Sequence, residues 1–516
     1  MPPGIRTDRR GVRIDGETLT LERLERLADG EPCLLAPAAR RRIEAARRVV
    51  ARAIREGGSV YGVNTGFGQL AGVRIAVENL DELQRNLVRS HAAGVGEPLP
   101  ERTVRAILAL RLNCLARGHS GIRFETFETL RHMLNKGVHP VVPAQGSVGA
   151  SGDLAPLAHI ALAVMGEGDV FRDGRRTPAS RALREAGIRP ARFEAKEGLA
   201  LINGTQMMTA VGALSLLRAE RLAVLADIAG AMSLEALKGS HRAFDRRIQM
   251  ASGRAGQAVS AANFRKLLRD SPIERSHVDC GRVQDAYSLR CMPQVHGAAR
   301  DGLAYVRKVL AAEVNSSADN PMIFAESGEV VSGGNFHGQG VSMALDHLAV
   351  AAAALGTISE RRIERLLNPD LSDLPAFLAL DPGLHSGFML AHVTAAALVS
   401  ENKVLAHPAS VDTIPTSAAK EDHVSMGAHA ARKAERVVDH VATVLAIELL
   451  AAAQALDTLK PLRAGRGVEA ARRAFRRRVS RMREDRVLAD DIASARFVVD
   501  DPSLRSAVEK VTGPLR

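Results

Sequence analysis

NGTQMMTAVGALSLLRAERLAVLADIAGAMSLEALKG, residues 203–239, contains no proline, and Met207, Leu214, Leu217, Leu222, Leu225, Ile228 and Met232 recur along it at spacings near three and four. That is the period of one face of an α-helix, so the stretch predicts a single long helix. Outward from it, Val341 to Leu366 and Ala431 to Leu456 repeat the pattern, with enough alanine for helices to approach closely. Apolar faces of this length must cover one another, which predicts a long, mostly antiparallel helical bundle. The alanine-rich Ala349 to Leu355 reads as part of such a helix. Strand signals are few: residues 12 to 30 read as a short strand, a turn at Asp15-Gly16, and a helix from Leu21 to Ala28 that stops at Gly30. The expected fold is mainly α. A smaller N-terminal domain, residues 1–200, precedes the bundle and C-terminal helices over 201–516, with a soft boundary because the long helix follows directly on KEGL, residues 196–199.

At 516 residues the chain exceeds one small core, and a hydrophobic content of 46% fits a globular protein. No apolar run reaches the roughly 18 to 20 residues that span a bilayer; the longest candidate, Val441 to Leu456, carries Glu448. The start, MPPGIR, lacks the apolar stretch of a secretory signal, so a cytoplasmic location and no membrane partner are expected. Cys33, Cys114, Cys280 and Cys291 are scattered, without CxxC spacing, and read as reduced thiols. A formal charge of +12 would suit nucleic acid, but the basic residues alternate with acidic ones, and stacking aromatics are scarce, with no Trp and three Tyr. A solvated, arginine-rich surface is expected and no nucleic-acid partner. The densest basic stretch, Arg463 to Arg486, reads as the exposed face of a C-terminal helix.

The chemistry begins just upstream of the long helix, in GSVGASGDLAPLAH, residues 146–159. If the Gly152 nitrogen attacks the carbonyl carbon of Ala150 and two waters leave, one carrying off the Ser151 hydroxyl, the product is a 4-methylidene-imidazol-5-one ring. The residue types fit: Gly152 has no side chain to shield its nitrogen, Ala150 is small, and Ser151 supplies the hydroxyl that is lost. Alone, three small residues mean little beyond a glycine-rich turn. The flanks add weight, because glycines at 146, 149 and 152 describe a strained turn and Leu154 to Met165 is apolar at helical spacing, with Pro156 tolerated in the first turn. A helix N-terminus just after the triad would stabilise negative charge on the ring's carbonyl oxygen.

Four further segments carry functional chemistry. YGVNTGFG, residues 61–68, is a glycine-rich loop able to close over a site, and its Tyr61 can accept a proton where neighbouring charge lowers its pKa. NLVRSHAAG, residues 86–94, carries Ser90-His91, and a histidine can exchange hydrogen bonds with an imidazole. VQDAYSLRCMPQVHG, residues 283–297, contains Arg290, whose fork matches a carboxylate. GGNFHG, residues 333–338, is paired with SAAKEDHVSM, residues 417–426, in which Glu421 is a carboxylate able to bind an imidazole N–H or an ammonium group.

Together with LINGTQ (201–206), SGFM (386–389) and ISERRIER (358–365), these segments resemble the aromatic amino acid ammonia-lyases, the family that includes aminomutase relatives. Ser90-His91 and Glu421 are similar to the histidine-specific members, whereas tyrosine-specific members carry His-Leu at the first position and phenylalanine-specific ones apolar residues. The resemblance implies elimination of ammonia from L-histidine to give trans-urocanate, the first step of histidine degradation, with the ring formed autocatalytically from Ala150, Ser151 and Gly152 and no external cofactor or metal. It implies Tyr61, Tyr287 and Glu421 as catalytic groups. It implies His91, Asn203, Gln284, Arg290, Phe336 and Met389 as substrate-binding groups, with Arg290 on the carboxylate and Phe336 and Met389 packing the ring. It also implies a homotetramer whose active sites are shared between subunits. Met292 and Lys420 depart from the residues expected in bacterial histidine-specific members, and Lys420 places a cation directly before Glu421.

The nearest alternative is a phenylalanine or tyrosine ammonia-lyase, or a 2,3-aminomutase, using the same electrophile. A helical lyase of the fumarase type would need a GSxxMPxKxN loop, of which only Cys291-Met292-Pro293 shares a fragment. A basic helical scaffold binding nucleic acid would have no use for the intact chemical segments.

Overall fold

The computed structural model describes residues 11–516 apart from positions 58, 59, 67, 71, 279 and 282. The initial MPPGIR and Phe67 of the Tyr61 loop therefore lie outside the described residues. The helices that build the site and its support are Leu80–His91 (α1), Glu101–Ala116 (α2), Leu154–Val164 (α3), Gln206–Ala236 (α4), Met292–Glu313 (α5), Gln339–Leu367 (α6), Met389–Leu405 (α7) and Gly427–Thr458 (α8). The fold is mainly α. The three apolar-periodic stretches are α4, α6 and α8; α4 lies within its expected span and is three residues shorter at each end, while α6 and α8 run past theirs at both ends, and α4 is buried on nearly every face. The strand and helix read at the N-terminus are Val12–Ile14 and Leu21–Ala28, where the Thr20 hydroxyl caps the helix by accepting from the Arg23 amide. The remaining strands form short ribbons, among them Val95–Pro98 with Pro143–Gln145, immediately before the triad.

α6 and α8 pack along each other, and α4 packs on both. α4 also touches α2, so it joins the N-terminal helices to the bundle, and one hydrophobic core runs from Val12 to Leu515. A smaller cluster of Val49, Val50, Val63, Leu80, Ala195 and Ile323 lies under the Tyr61 loop. α6 and α8 are longer than the sequence reading allowed and are long and apolar enough to cross a membrane by length and composition, yet 67% and 83% of their apolar windows are buried inside the protein. The fully buried charges between them, Glu448 and Arg362, are paired. Glu448 of α8 accepts from Arg362 of α6 at 2.6 and 2.8 Å and from the hydroxyls of Ser233 and Ser359 at 2.7 and 2.6 Å. A buried carboxylate is tolerated only when it is hydrogen-bonded in this way.

The basic stretch near the C-terminus differs from expectation. Arg472 and Arg476, in the helix Arg466–Arg476, turn inward onto the nearly buried Asp457 at 2.8 and 2.9 Å, while Arg473 remains exposed. The end of α8 carries a buried acid, and the inward arginines, with Lys460 at 3.2 Å, supply its counter-charge.

Candidate active site

Residues 146–153 run from the strand Pro143–Gln145 into α3, which begins at Leu154 with Pro156 in its first turn. Gly146, Gly149 and Gly152 take positive φ of 127°, 75° and 76°, and Ser151 joins them at 48°. Left-handed backbone costs a non-glycine residue about 1 to 3 kcal/mol, so Ser151 must be held there by its surroundings. The holder is Asn203-Gly204 at the start of α4. Asn203 Nδ2 donates to the Ser151 carbonyl at 2.9 Å, and the Asp153 amide donates to the Gly204 carbonyl at 2.7 Å. A methyl group on Gly152 would run into that same Gly204 carbonyl, which leaves glycine as the residue that fits. The fully buried Asp153 carboxyl accepts from the Met208 amide at 2.9 Å and from the Ser147 hydroxyl at 3.3 Å, and burial pushes it up to about 7 against those hydrogen bonds.

Ala150 and Ser151 open on a cavity of about 1320 Å³. The Ser151 hydroxyl donates to Glu421 Oε1 at 2.9 Å, across 270 residues of sequence. Glu421 Oε2 accepts from the hydroxyls of Thr416 and Ser417, each at 2.7 Å, so the carboxylate is oriented from both sides. The turn that presents it is unusual, because Ser417, Ala418 and Ala419 all take positive φ, and pairing of Thr416 with Glu421 closes it. His337 at the start of α6 pins the same loop, its ring Nε2 donating to the His423 carbonyl at 3.1 Å.

His91, the last residue of α1, is half-buried in the same cavity wall. Its ring Nδ1 is 3.1 Å from the Ser90 hydroxyl, which donates its only proton to the Leu87 carbonyl at 3.0 Å. In the tautomer with Nδ1 protonated, Nδ1 donates to Ser90 and Nε2 is left as an acceptor. Burial lowers the His91 pKa, and the hydrogen bond at the Leu87 backbone and the Glu421 charge only partly oppose it, so the neutral ring is favoured.

Of the residues singled out from sequence, Tyr61, His91, Ala150, Ser151, Asn203, Phe336 and Glu421 line this one cavity, and Gly152 lies buried beneath it in the clamped loop. Gln284, Tyr287, Arg290 and Met389 do not line it. Gln284 borders a separate cavity with Asp285 and Arg365, Tyr287 is 70% exposed, and Arg290 donates to the Asp285 carbonyl at 3.0 Å with its guanidinium over the Tyr287 ring. Met389 begins α7 and is partly exposed.

Sequence reasoning gave no role to Asn320, His337, Asp422 or His423, which also line the cavity. His337 and His423 sit inside segments already quoted, one and two residues from Phe336 and Glu421, and that adjacency was the available signal. Asn320 carried none.

The aromatic amino acid lyase family model matches residues 19–477. A histidine ammonia-lyase of Anaeromyxobacter sp. (strain K) is 58% identical over 501 residues, covering 95% of this chain and 99% of its own. Among solved structures, the histidine ammonia-lyase of Trypanosoma cruzi superposes with a TM-score of 0.90 at 46% identity, covering 97% of this chain and 95% of its own. The tyrosine aminomutase of Streptomyces globisporus superposes at 0.94 and 40% identity, covering 98% and 100%.

Proposed function

The chain belongs to the aromatic amino acid lyase family, and from that premise we propose that it eliminates ammonia from L-histidine, giving trans-urocanate. The observation that carries this reading is that Ser151, Glu421 and His91 share one cavity, with an imidazole acceptor and a carboxylate facing the loop that bears the triad. Backbone likeness does not choose the substrate, because a tyrosine aminomutase superposes at least as well as a histidine ammonia-lyase. The side chains choose it. His91 Nε2 and the Glu421 carboxylate can each accept an imidazole N–H, both at once when the substrate ring is protonated, and neither has a partner in an apolar phenyl ring.

The loop fits a methylidene-imidazolone. Ser151 and Gly152 are already bent into left-handed backbone, the hydroxyl to be lost faces the cavity, and no larger residue than glycine fits at 152. Once formed from Ala150-Ser151-Gly152, that group supplies an electrophile for the substrate's amine, with no external cofactor. Asn203 holds the Ser151 carbonyl oxygen, and α3 presents its N-terminus just beyond it. Loss of the Ser151 hydroxyl removes the donor on Glu421 Oε1 and frees that oxygen for substrate, while Thr416 and Ser417 keep the carboxylate aimed. Tyr61, at the cavity wall, takes the β-proton, and Phe336 packs the imidazole face.

We infer further that the working form is a homotetramer acting in the cytoplasm, with Gln284, Tyr287, Arg290 and Met389 completing the cavity of a neighbouring copy. Support comes from their position off the cavity of their own chain, and from the exposed apolar residues Leu390, Val393 and Val404 on α7 and Val411 and Ile414 beyond it. The four cysteines are free thiols, as a reducing compartment allows.

Incubation with L-histidine, L-tyrosine and L-phenylalanine separately, following the absorbance of each unsaturated acid, tests the substrate. Preference for either of the latter two overturns the histidine assignment and leaves the lyase class standing. Arg290→Lys, which loses the two-pronged grip, is expected to cost about 1.5 to 3 kcal/mol in kcat/KM. Mixed tetramers test the shared site: co-expressed Ser151→Ala and Arg290→Lys chains are expected to exceed the activity of either alone, because some sites then draw Ser151 and Arg290 from the two different chains. Absence of any gain places both residues on one chain.

A further inference from the structure

The clamp that holds Ser151 is itself held by a group no functional assignment above includes. Arg111 of α2 is completely buried, with no exposed side-chain surface. Its Nη1 donates to the Asn203 carbonyl and to Gln206 Oε1, both at 2.9 Å, and to the Ala318 carbonyl at 3.4 Å, while Nη2 donates to the Ala200 carbonyl. One guanidinium therefore ties the end of the 197–202 helical turn, the first residue of α4 and the segment before Asn320 to a single point on α2. Asn320 lines the cavity. Next to it Asp319 is paired with Lys196 at 3.0 Å, both fully buried, and its second oxygen stands 3.9 Å from the Arg111 guanidinium.

Gly204 is what lets the guanidinium in. A Cβ there would stand 2.5 Å from Arg111 Nη1 and would strike Gln206 as well. Asn203-Gly204 is thus a rail gripped on one side by Arg111 and on the other by the Ser151 carbonyl and the Asp153 amide. Any shift of the rail moves the backbone of the triad with it.

We propose that Arg111 is a positioning residue of the active site: through Asn203-Gly204 it fixes the bent backbone of Ala150-Ser151-Gly152 in the conformation that cyclises and then works. The inference rests on the proposed electrophile and concerns what places it. A guanidinium donates from several N–H groups spread around the edges of its plane, and a compact ammonium cannot span the same acceptors. Arg111→Lys therefore keeps the buried charge and loses the span.

The test follows intact mass and kinetics together. The wild-type chain is expected to be lighter than its encoded mass by two waters. Arg111→Lys is expected to keep its helical circular dichroism while losing those waters slowly or incompletely, with kcat per processed chain lowered roughly 10- to 100-fold and KM within about twofold, as a misplaced reacting group requires. Gln206→Met, which removes one partner of the same guanidinium at similar volume, is expected to shift both readouts in the same direction by less, and it carries the test if Arg111→Lys does not fold. Phe475→Leu, a core substitution in the helix Arg466–Arg476, supplies a control lowered in Tm that is expected to process fully. Wild-type processing rate and wild-type kcat per processed chain in the folded Arg111 and Gln206 variants would overturn the proposal. A wild-type chain at full encoded mass would overturn the electrophile itself, and this inference with it.

Discussion

Ser151→Ala is expected to abolish ammonia elimination, with kcat/KM falling on the order of 10³-fold or more, as when an enzyme loses its reactive covalent group. Alanine has no hydroxyl to lose, so no exocyclic methylidene can form, and the defect is chemical. The fold should tolerate the change, because the Ser151 hydroxyl contributes one hydrogen bond, to Glu421, at a partly exposed position facing the cavity. The positive φ of 48° is no worse for alanine than for serine, and the Asn203 bond is to the backbone carbonyl, which remains. Circular dichroism and Tm close to wild type, with the full encoded mass less at most one water, are the accompanying results. An active protein at full encoded mass would refute the electrophile.

Replacing His91 by Leu and Glu421 by Gln together is expected to collapse activity on L-histidine by about 10⁴-fold, because a site built on hydrogen bonds to a substrate loses most when those bonds go. Leucine removes the Nε2 acceptor. Glutamine keeps an oxygen and the shape of the side chain but loses the charge, and its single oxygen can stand in for Oε1 or Oε2 but not both. Any trace activity on phenylalanine or tyrosine should hold or rise, since an uncharged, more apolar wall no longer leaves buried polar groups unpaired against a carbocyclic ring. Equal loss on all three substrates, with the dichroism unchanged, would remove both residues from ring recognition and assign them to the chemistry common to all.

Chain-local features were legible. α4, α6 and α8 followed from apolar spacing, α3 from Leu154 to Met165 with its early proline, and the triad from the chemistry of three adjacent side chains. Helical period is set by residues three and four apart, so a window of sequence contains all the information it needs. Asp153 was not legible. At the N-cap of α3 its side chain makes no bond to its own helix, and its carboxyl instead accepts from Met208 of α4, because that amide is brought beside it by the packing of Gly152 on Gly204.

By itself, then, the sequence determined the helical architecture, the tripeptide proposed as the electrophile's precursor and the residue types suited to an imidazole and a carboxylate. Tertiary structure alone decided who meets whom. It brought Ser151 to Glu421 over 270 residues, set Arg111 under Asn203 over 92, and made a left-handed turn of Ser417, Ala418 and Ala419, where no glycine announces one. It also left Arg290 and Tyr287 on a surface away from the cavity of their own chain. The reason is physical. Closing loops of these lengths costs entropy that rises only slowly with their size, so no local signal marks which distant partners will close, and the choice falls to the packing of the whole core.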